Sequence, residues 1–437
     1  MNTQPPPALF AGIDWGSQLH QVCLRASDGA VLGEKAFAHS GQELSLMLDW
    51  MLALTDAAPA QIVVAIEIPH GPVVDSLLDR GFRVFSINPK QLDRFRDRFS
   101  PAGAKDDRRD ARVLADALRT DPDCLRELDP LDGAVMELRE WSRMSDELTT
   151  ERTRLTNQVR AQLWRYFPQV LELGFALHSP VIRALWTRIP TPARAHRVRQ
   201  ASVEKILKKH RIRRIDAAEA LQILRAKPIT VADGVVNAAT ARIRLILEQL
   251  ALLEKQIREA DQAIDHLLAT LNVQQTDPGP DASETGGNAS GSEPSSDNAA
   301  LRDVEILSSL PGVGNKVLAT LISEASALLN DRDYQALRCL CGVAPVTRRS
   351  GKSWRVVRRR ASQGRLVNAL YHWGRVAVQH DPISKAKYKA LRARGHSHGR
   401  ALRSVTDRLL AIACAMLRNR SCFDPSRPTA AVQPTHS

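Results

Sequence analysis

At 437 residues the chain is about two to three times the usual domain size, so two or three folding units are expected. Its 61 Lys and Arg against 48 Asp and Glu give a formal charge of +13, which points to a polyanionic partner. No run approaches the roughly 18 apolar residues of a membrane helix, and MNTQPPPALFAGIDWG lacks the basic and apolar regions of a secretion signal, which excludes a spanning protein and points to the cytoplasm.

In residues 1–130, ALFAGIDWG, HQVCLRAS and VLGEKAFAH are short β-rich runs at hairpin spacing. QELSLMLDWMLAL has a helical period, IVVAIE and VFSIN read as buried strands separated by a helical stretch, and a helix follows over residues 105–119. The order βββαβαβα describes an α/β sheet of ribonuclease H type, an order shared with other mixed α/β folds.

Strand signals then disappear, and residues 131–272 read as a helical, coiled-coil section. Ile243, Ile246, Leu250, Leu253, Ile257, Ala260, Ile264, Leu267 and Leu271 alternate steps of three and four, forming a seam that requires a partner helix. Residues 135–166 can supply it in the same chain, and a second protomer is the alternative. Between these helices, residues 194–214 hold nine Lys or Arg and one Glu, a density that favours nucleic-acid contact over a merely solvated face.

Residues 273–300 are Gly, Ser, Pro and acid, and read as a disordered linker whose five acids make the folded parts more basic than the total. Residues 301–425 form a mainly helical C-terminal domain, and 426–437 a loose tail. The six cysteines are scattered, with one C-x-C pair and no histidine at ligand spacing, so neither zinc nor a disulfide framework is expected.

Four acids stand out. Asp14 ends the first apolar strand in GIDWGS and Glu67 the fourth in VVAIEIPHG, and in a ribonuclease H sheet these strands are neighbours. Asp107 and Asp110 are three apart on the helix beginning AKDDRRDAR, hence on one face, whereas Asp106 is turned about 100° from Asp107. Capping a turn or a helix start accounts for any one of these acids. Together they repel unless cations are present, and hard oxygen ligands with open positions suit Mg²⁺, two of which about 4 Å apart can hold a scissile phosphate.

These residues carry a resemblance. GIDWGSQLH, AIEIPHG and VFSINPKQLDRFRDRFSPAGAKDDRRDAR, the last with Asn88-Pro89 and a K-x-D-x-x-D spacing from Lys105, resemble the DEDD signature of the RuvC-like domain in transposases of the one-ten group of bacterial insertion sequences. The resemblance implies that Asp14, Glu67, Asp107 and Asp110 are the metal-binding set, with Mg²⁺ as cofactor. It resumes after the linker.

There LPGVG, containing Gly312 and Gly314 between two helical patterns, is a helix-hairpin-helix signal whose backbone N–H groups can approach a phosphate. Residues 346–365 then hold eight Lys or Arg and no acid, among them Arg348, Arg349, Lys352, Arg358, Arg359 and Arg360, with Trp354 as a stacking platform. GVAPVTRRSG is similar to the G-x-x-P…SG motif of the family's C-terminal domain, and Ser350 matches its nucleophilic serine; Ser353 is a nearby rival. Where the family has a Lys-rich K-x-G segment this chain has Ala361-Ser362-Gln363-Gly364, which leaves its phosphate contact to Arg358, Arg359 and Arg360.

The resemblance therefore implies a site-specific DNA recombinase with a 5′-phosphoserine intermediate, a structured noncoding guide RNA gripped by the basic helical section, and a dimer or tetramer in which Ser350 faces the carboxylates of another protomer. A RuvC-like structure-selective endonuclease using activated water is the competing expectation. GIDWGS also resembles the first phosphate loop of an actin-like ATPase, but no second Asp-Gly-Gly loop follows.

Overall fold

The computed structural model describes residues 9–99, 106–128, 132–274, 303–351 and 353–425. Residues 275–300 of the expected linker, the tail, Lys105 and Lys352 lie outside these. Two units divide the chain, Met1–Leu131 and Asp132–Ser437.

The first unit runs β1 (Leu9–Trp15), β2 (Leu19–Ala26), β3 (Val31–Ala38), α1 (Gly41–Ala53), β4 (Ile62–Ile66), α2 (Pro72–Asp79), β5 (Arg83–Ser86), α3 (Pro89–Phe99), α4 (Asp107–Thr120) and β6 (Arg126–Leu128). The strands lie in the order β3-β2-β1-β4-β5-β6, with β4 parallel to β1 and β5, and β2, β3 and β6 antiparallel to their neighbours. This is a mixed sheet with helices, consistent with a ribonuclease H-like domain, and it makes the first and fourth strands neighbours as expected.

Alternation along the strands builds two cores. Ala11, Ile13, Ile62, Val64 and Ile66 pack with Met47, Met51 and Leu77 of α1 and α2, while Phe10, Val63 and Ala65 pack with Leu92 of α3 and Val113, Leu114 and Leu118 of α4. Gly12 lies on the second face, where a Cβ would collide with Ala111 O and Ala115 N, so its missing side chain lets α4 lie against β1. From the sheet edge, Glu34 of β3 receives Arg108 and Arg112 of α4 and holds the start of that helix. The helix α3 and the strand β6 are additions to the expected order. The start of α3 is written in Asn88-Pro89: Asn88 Oδ1 accepts from Lys90 N at 3.0 Å, and proline occupies the first turn, where no N–H is needed.

The described residues of the second unit are helical apart from one hairpin. It contains α5 (Gly133–Tyr166), α6 (Gln169–Glu172), α7 (Pro180–Arg188), α8 (Pro192–Arg197), α9 (Gln200–Lys209), α10 (Ala217–Leu224) and α11 (Asp233–Gln274). From residue 303 onward come α12 (Asp303–Ser308), α13 (Asn315–Glu324), α14 (Ser326–Asn330), α15 (Tyr334–Leu340), β7 (Pro345–Ser350), β8 (Ser353–Arg358), α16 (Gly364–His380), α17 (Pro382–Ala393) and α18 (His398–Asn419).

The two long helices run antiparallel: Ser145 bonds Asp261 at 3.0 Å, Arg152 bonds Glu254 at 3.1 Å, and Tyr166 meets Thr240 at 3.2 Å. All nine seam residues from Ile243 to Leu271 are buried. The partner that the seam requires is therefore α5 of the same chain, and the seam is not left open for a second protomer. At one end, Leu155, Val159, Ile243 and Leu250 form a core with the short helices α6–α10. At the other, Leu138, Ile264, Leu267 and Leu271 join Leu318, Trp373 and Leu409. The helical section thus shares a core with the C-terminal helices across the expected linker.

Candidate active site

In the first unit the acids lie where strand parity sends them. Ile13 of β1 is in register with Ile66 of β4, so Asp14 and Glu67 follow at the ends of adjacent parallel strands, on the face that carries α4. The first turn of α4 comes to the same edge because Gly12 permits it. Asp106 caps this helix, Asp107 is exposed at its first position, and Asp110 is 1% exposed.

A residue not singled out in the sequence organises this edge. Arg96 of α3 forks onto Asp110, with Nε 2.6 Å from Oδ1 and Nη2 2.8 Å from Oδ2, and the same Nη2 is 3.9 Å from Glu67 Oε2. It also pairs with Asp93. Burial works against the charge on Arg96, but its hydrogen bonds to Asp110 prevail and raise its pKa. Glu67 and Asp110 are thus gathered on one guanidinium, and among the described residues no three His, Cys, Asp or Glu side chains group as a metal centre. The donor chemistry nevertheless suits a hard divalent cation: Asp110 is a buried carboxylate already balanced by positive charge, and Glu67 shares that balance. The sequence signal for Arg96 was its spacing from Leu92 and Phe95 on an amphipathic helix, which places it toward α4.

In the second unit Ser350 ends β7 at the tip of a two-stranded hairpin. It pairs with Ser353 across a turn in which Gly351 has φ +53°. Arg348 faces Arg355 and Arg349 faces Trp354, whose ring is 73% exposed. Ser350, Arg348, Arg349, Arg355 and Arg358 are all exposed, while Arg359 is half-buried, with an Nε that has no partner. Lys352 lies outside the described residues. In the segment where the sequence departs from the family, Gln363 caps α16: its Oε1 accepts from Leu366 N at 2.7 Å, and its Nε2 donates to Glu324 at 3.0 Å.

The LPGVG turn has a different setting from the one expected of a phosphate hairpin. Gly312, at φ +82°, lies where a Cβ would be 2.7 Å from Ala377 N of α16, and Trp373 Nε1 donates to Pro311 O at 2.9 Å. Its glycine therefore serves close packing. The groove beside it, about 450 Å³, is lined by Gly314 and by two acids, Asp261 and Asp265, which take up Lys316 and Asn315. A groove whose lysine is already neutralised and which holds two acids is a poor seat for a phosphate.

The nine cations of residues 194–214 are all exposed on the cap of short helices. Arg214 differs from the rest in lying over the ring of Phe175 and bonding Leu173 O. No helix is long and apolar enough to cross a membrane among the described residues.

Comparisons with known proteins bear on both units. Residues 11–168 match the family described as "DEDD_Tnp_IS110: Transposase", and residues 304–389 match "Transposase IS116/IS110/IS902 family". The chain is 31% identical over 431 residues to a Streptomyces coelicolor protein named as a transposase for the IS117 mini-circle, covering 96% of each. It is 55% identical over 209 residues to y4uE of Sinorhizobium fredii, a match spanning 48% of this chain and 58% of that one. A protein of insertion element IS116 from Streptomyces clavuligerus is 25% identical, with 96% of this chain and 97% of that one aligned.

Proposed function

The chain belongs to the IS110 family of insertion-sequence transposases, enzymes that act on DNA, and from that premise we propose that it cuts and rejoins strands through a covalent 5′-phosphoserine on Ser350. What supports the reading is the position of Ser350: an exposed hydroxyl at the tip of a hairpin lined by Arg348, Arg349 and Arg355. Cations there lower the cost of an alkoxide and attract a phosphodiester.

In the first step Ser350 Oγ forms a bond to phosphorus, the bond from phosphorus to the 3′ oxygen breaks, and a free 3′-hydroxyl leaves with a proton while Oγ loses its own. In the second, the 3′-hydroxyl of a partner strand attacks the phosphoserine, and Ser350 departs reprotonated. One phosphoester replaces another at each step, so no ATP is required. Asp14, Glu67, Asp107 and Asp110 would hold Mg²⁺, which when bound polarises the phosphate and offsets its charge. Arg96 orients Asp110 at that edge through two hydrogen bonds. The cap of short helices, with its nine exposed cations, suits the backbone of a structured guide RNA, which is gripped mainly through phosphates and 2′-hydroxyls. Assembly as a dimer or tetramer, with Ser350 serving the carboxylates of a partner, belongs to the same reading; the buried seam of α11 supplies no interface for it.

The experiment is denaturing electrophoresis after incubation with element-end DNA and Mg²⁺. Wild type leaves DNA covalently attached to protein, and both Ser350→Ala and Asp14→Ala abolish the adduct. Full cleavage by Ser350→Ala with no adduct in any sample would instead establish hydrolysis by activated water.

A further inference from the structure

The edge that gathers the acids of the first unit already holds a positive charge of its own. Arg96 is protonated at any physiological pH, and its fork takes both oxygens of Asp110, Nε at 2.6 Å and Nη2 at 2.8 Å. The same Nη2 is 3.9 Å from Glu67 Oε2, so a cation lies between these two carboxylates. Its place is fixed from α3, where Leu92 is buried, Phe95 packs on the same core and Asp93 pairs with the guanidinium. Asp110 is closed to solvent, whereas Asp14 and Glu67 are half-buried and Asp107 is exposed.

A hard divalent ion binds by exchanging its water for carboxylate oxygens that can turn toward it. Glu67 and Asp107 reach the surface, with Asp14 beside them at the strand end. Asp110 does not, because both of its oxygens are engaged by the guanidinium and no hydrated ion can approach it from outside. An ion brought between Asp110 and Glu67 would meet Arg96 at close range, and two positive charges so near one another repel strongly away from bulk water. Expelling the fork would in turn leave a guanidinium that is only 20% exposed without its main partner.

We propose that Arg96 stands in for a second metal ion: the DNA-free chain takes one divalent cation, on the side of the edge formed by Asp14, Glu67 and Asp107, and Asp110 is shut out of the metal set until the guanidinium is withdrawn. The proposal rests on the reading of this edge as a Mg²⁺ site. It makes the edge a hybrid, in which part of the positive charge belongs to the chain and part to a single ion.

The test is the number of Mn²⁺ ions bound by the full chain without DNA, counted from the electron paramagnetic resonance signal of the unbound ion, with D14N/E67Q as background. Wild type is expected to bind one ion above background and R96Q two. R96K keeps the charge and is expected to stay at one. R96Q/D110N removes both members of the pair, so no buried charge is left unbalanced, and is expected to return to one. A purely structural role for Arg96 would make R96Q lose ions rather than gain one. Two ions in wild type or in R96K, or one in folded R96Q, overturn the proposal and leave the edge a metal site; none above background in any form overturns the Mg²⁺ reading and the proposal with it. Phenylglyoxal labelling of wild type, read by peptide mass spectrometry, needs no variant to fold. Saturating Mn²⁺ is expected to leave the reactivity of Arg96 unchanged, and a rise, which would mean that ions drive the guanidinium off Asp110, overturns the proposal.

Discussion

Removing the guanidinium of Arg96 would leave Asp110 as a buried carboxylate with nothing to balance it, since Arg96 supplies both of its short contacts. Loss of one partner of a buried pair is costly, and because Arg96 is itself 20% exposed, Arg96→Gln is expected to destabilise the protein by about 2 kcal/mol at neutral pH in EDTA. With the competing cation gone, Mg²⁺ should raise the Tm of the variant by more than that of wild type. Thermal melts with and without Mg²⁺ check both statements, and an equal response in the two proteins would contradict the second. The acids at this edge were legible in the sequence as the ends of strands and the start of a helix. Arg96 was not, because its meaning depends on α3 crossing to α4: its spacing from Leu92 favours the inward face over Arg94 and Arg98, but the partner it meets there is set by a helix that begins eleven residues later.

Among the elements, α4 carries the site because it can lie flat on β1. Gly12→Ala drives a methyl into the backbone of α4, and relief requires the helix to lift away from Asp14; a loss of about 3 kcal/mol is expected. Gly41→Ala, where nothing lies within 4 Å, should change stability by well under 1 kcal/mol, and urea midpoints of the two variants make the comparison. On β2, His20 is buried with its Nε2 3.0 Å from His39 Nδ1; burial first, and then the field of His39, lower its pKa. A depressed histidine binds its proton more weakly in the folded chain than in the unfolded one, so stability is fully present above about pH 6.5 and is lost as pH falls below it. His20→Gln should flatten that dependence in melts recorded between pH 5 and 8. Periodicity identified most elements of the first unit, since alternation and helical spacing are local properties. It could not identify which helix pairs with the seam of α11: the same nine residues would suit a partner in another protomer, and the choice rests on pairings such as Arg152 with Glu254. Likewise LPGVG specifies a tight turn, but Ala377, which demands Gly312, lies more than sixty residues away in the chain.

For the whole molecule, the positive charge is concentrated in two parts of the second unit, the C-terminal stretch of residues 334–406, where Asp381 is the single acid, and the cap of short helices. Neutralising the cap with R197Q/K205Q/K209Q/R213Q removes four exposed cations. On the proposed function it is expected to remove guide RNA from the purified protein while leaving the salt dependence of affinity for duplex DNA nearly unchanged; sequencing of bound RNA and fluorescence anisotropy measure both. The long helix α5 sets the distance between these surfaces. Near its start, Ser142 and Asp146 receive Arg365 from the foot of the serine hairpin, and at its end Tyr166 enters the cap core. From Asp146 to Tyr166 a helix rises about 30 Å, close to one turn of duplex. Buttressed along its length by α11, it acts as a gauge: on the proposed function, a guide held at one end and a strand exchanged at the other stay a fixed span apart, so lengthening α5 and α11 by matched heptads should move the point of cleavage along the DNA rather than abolish it.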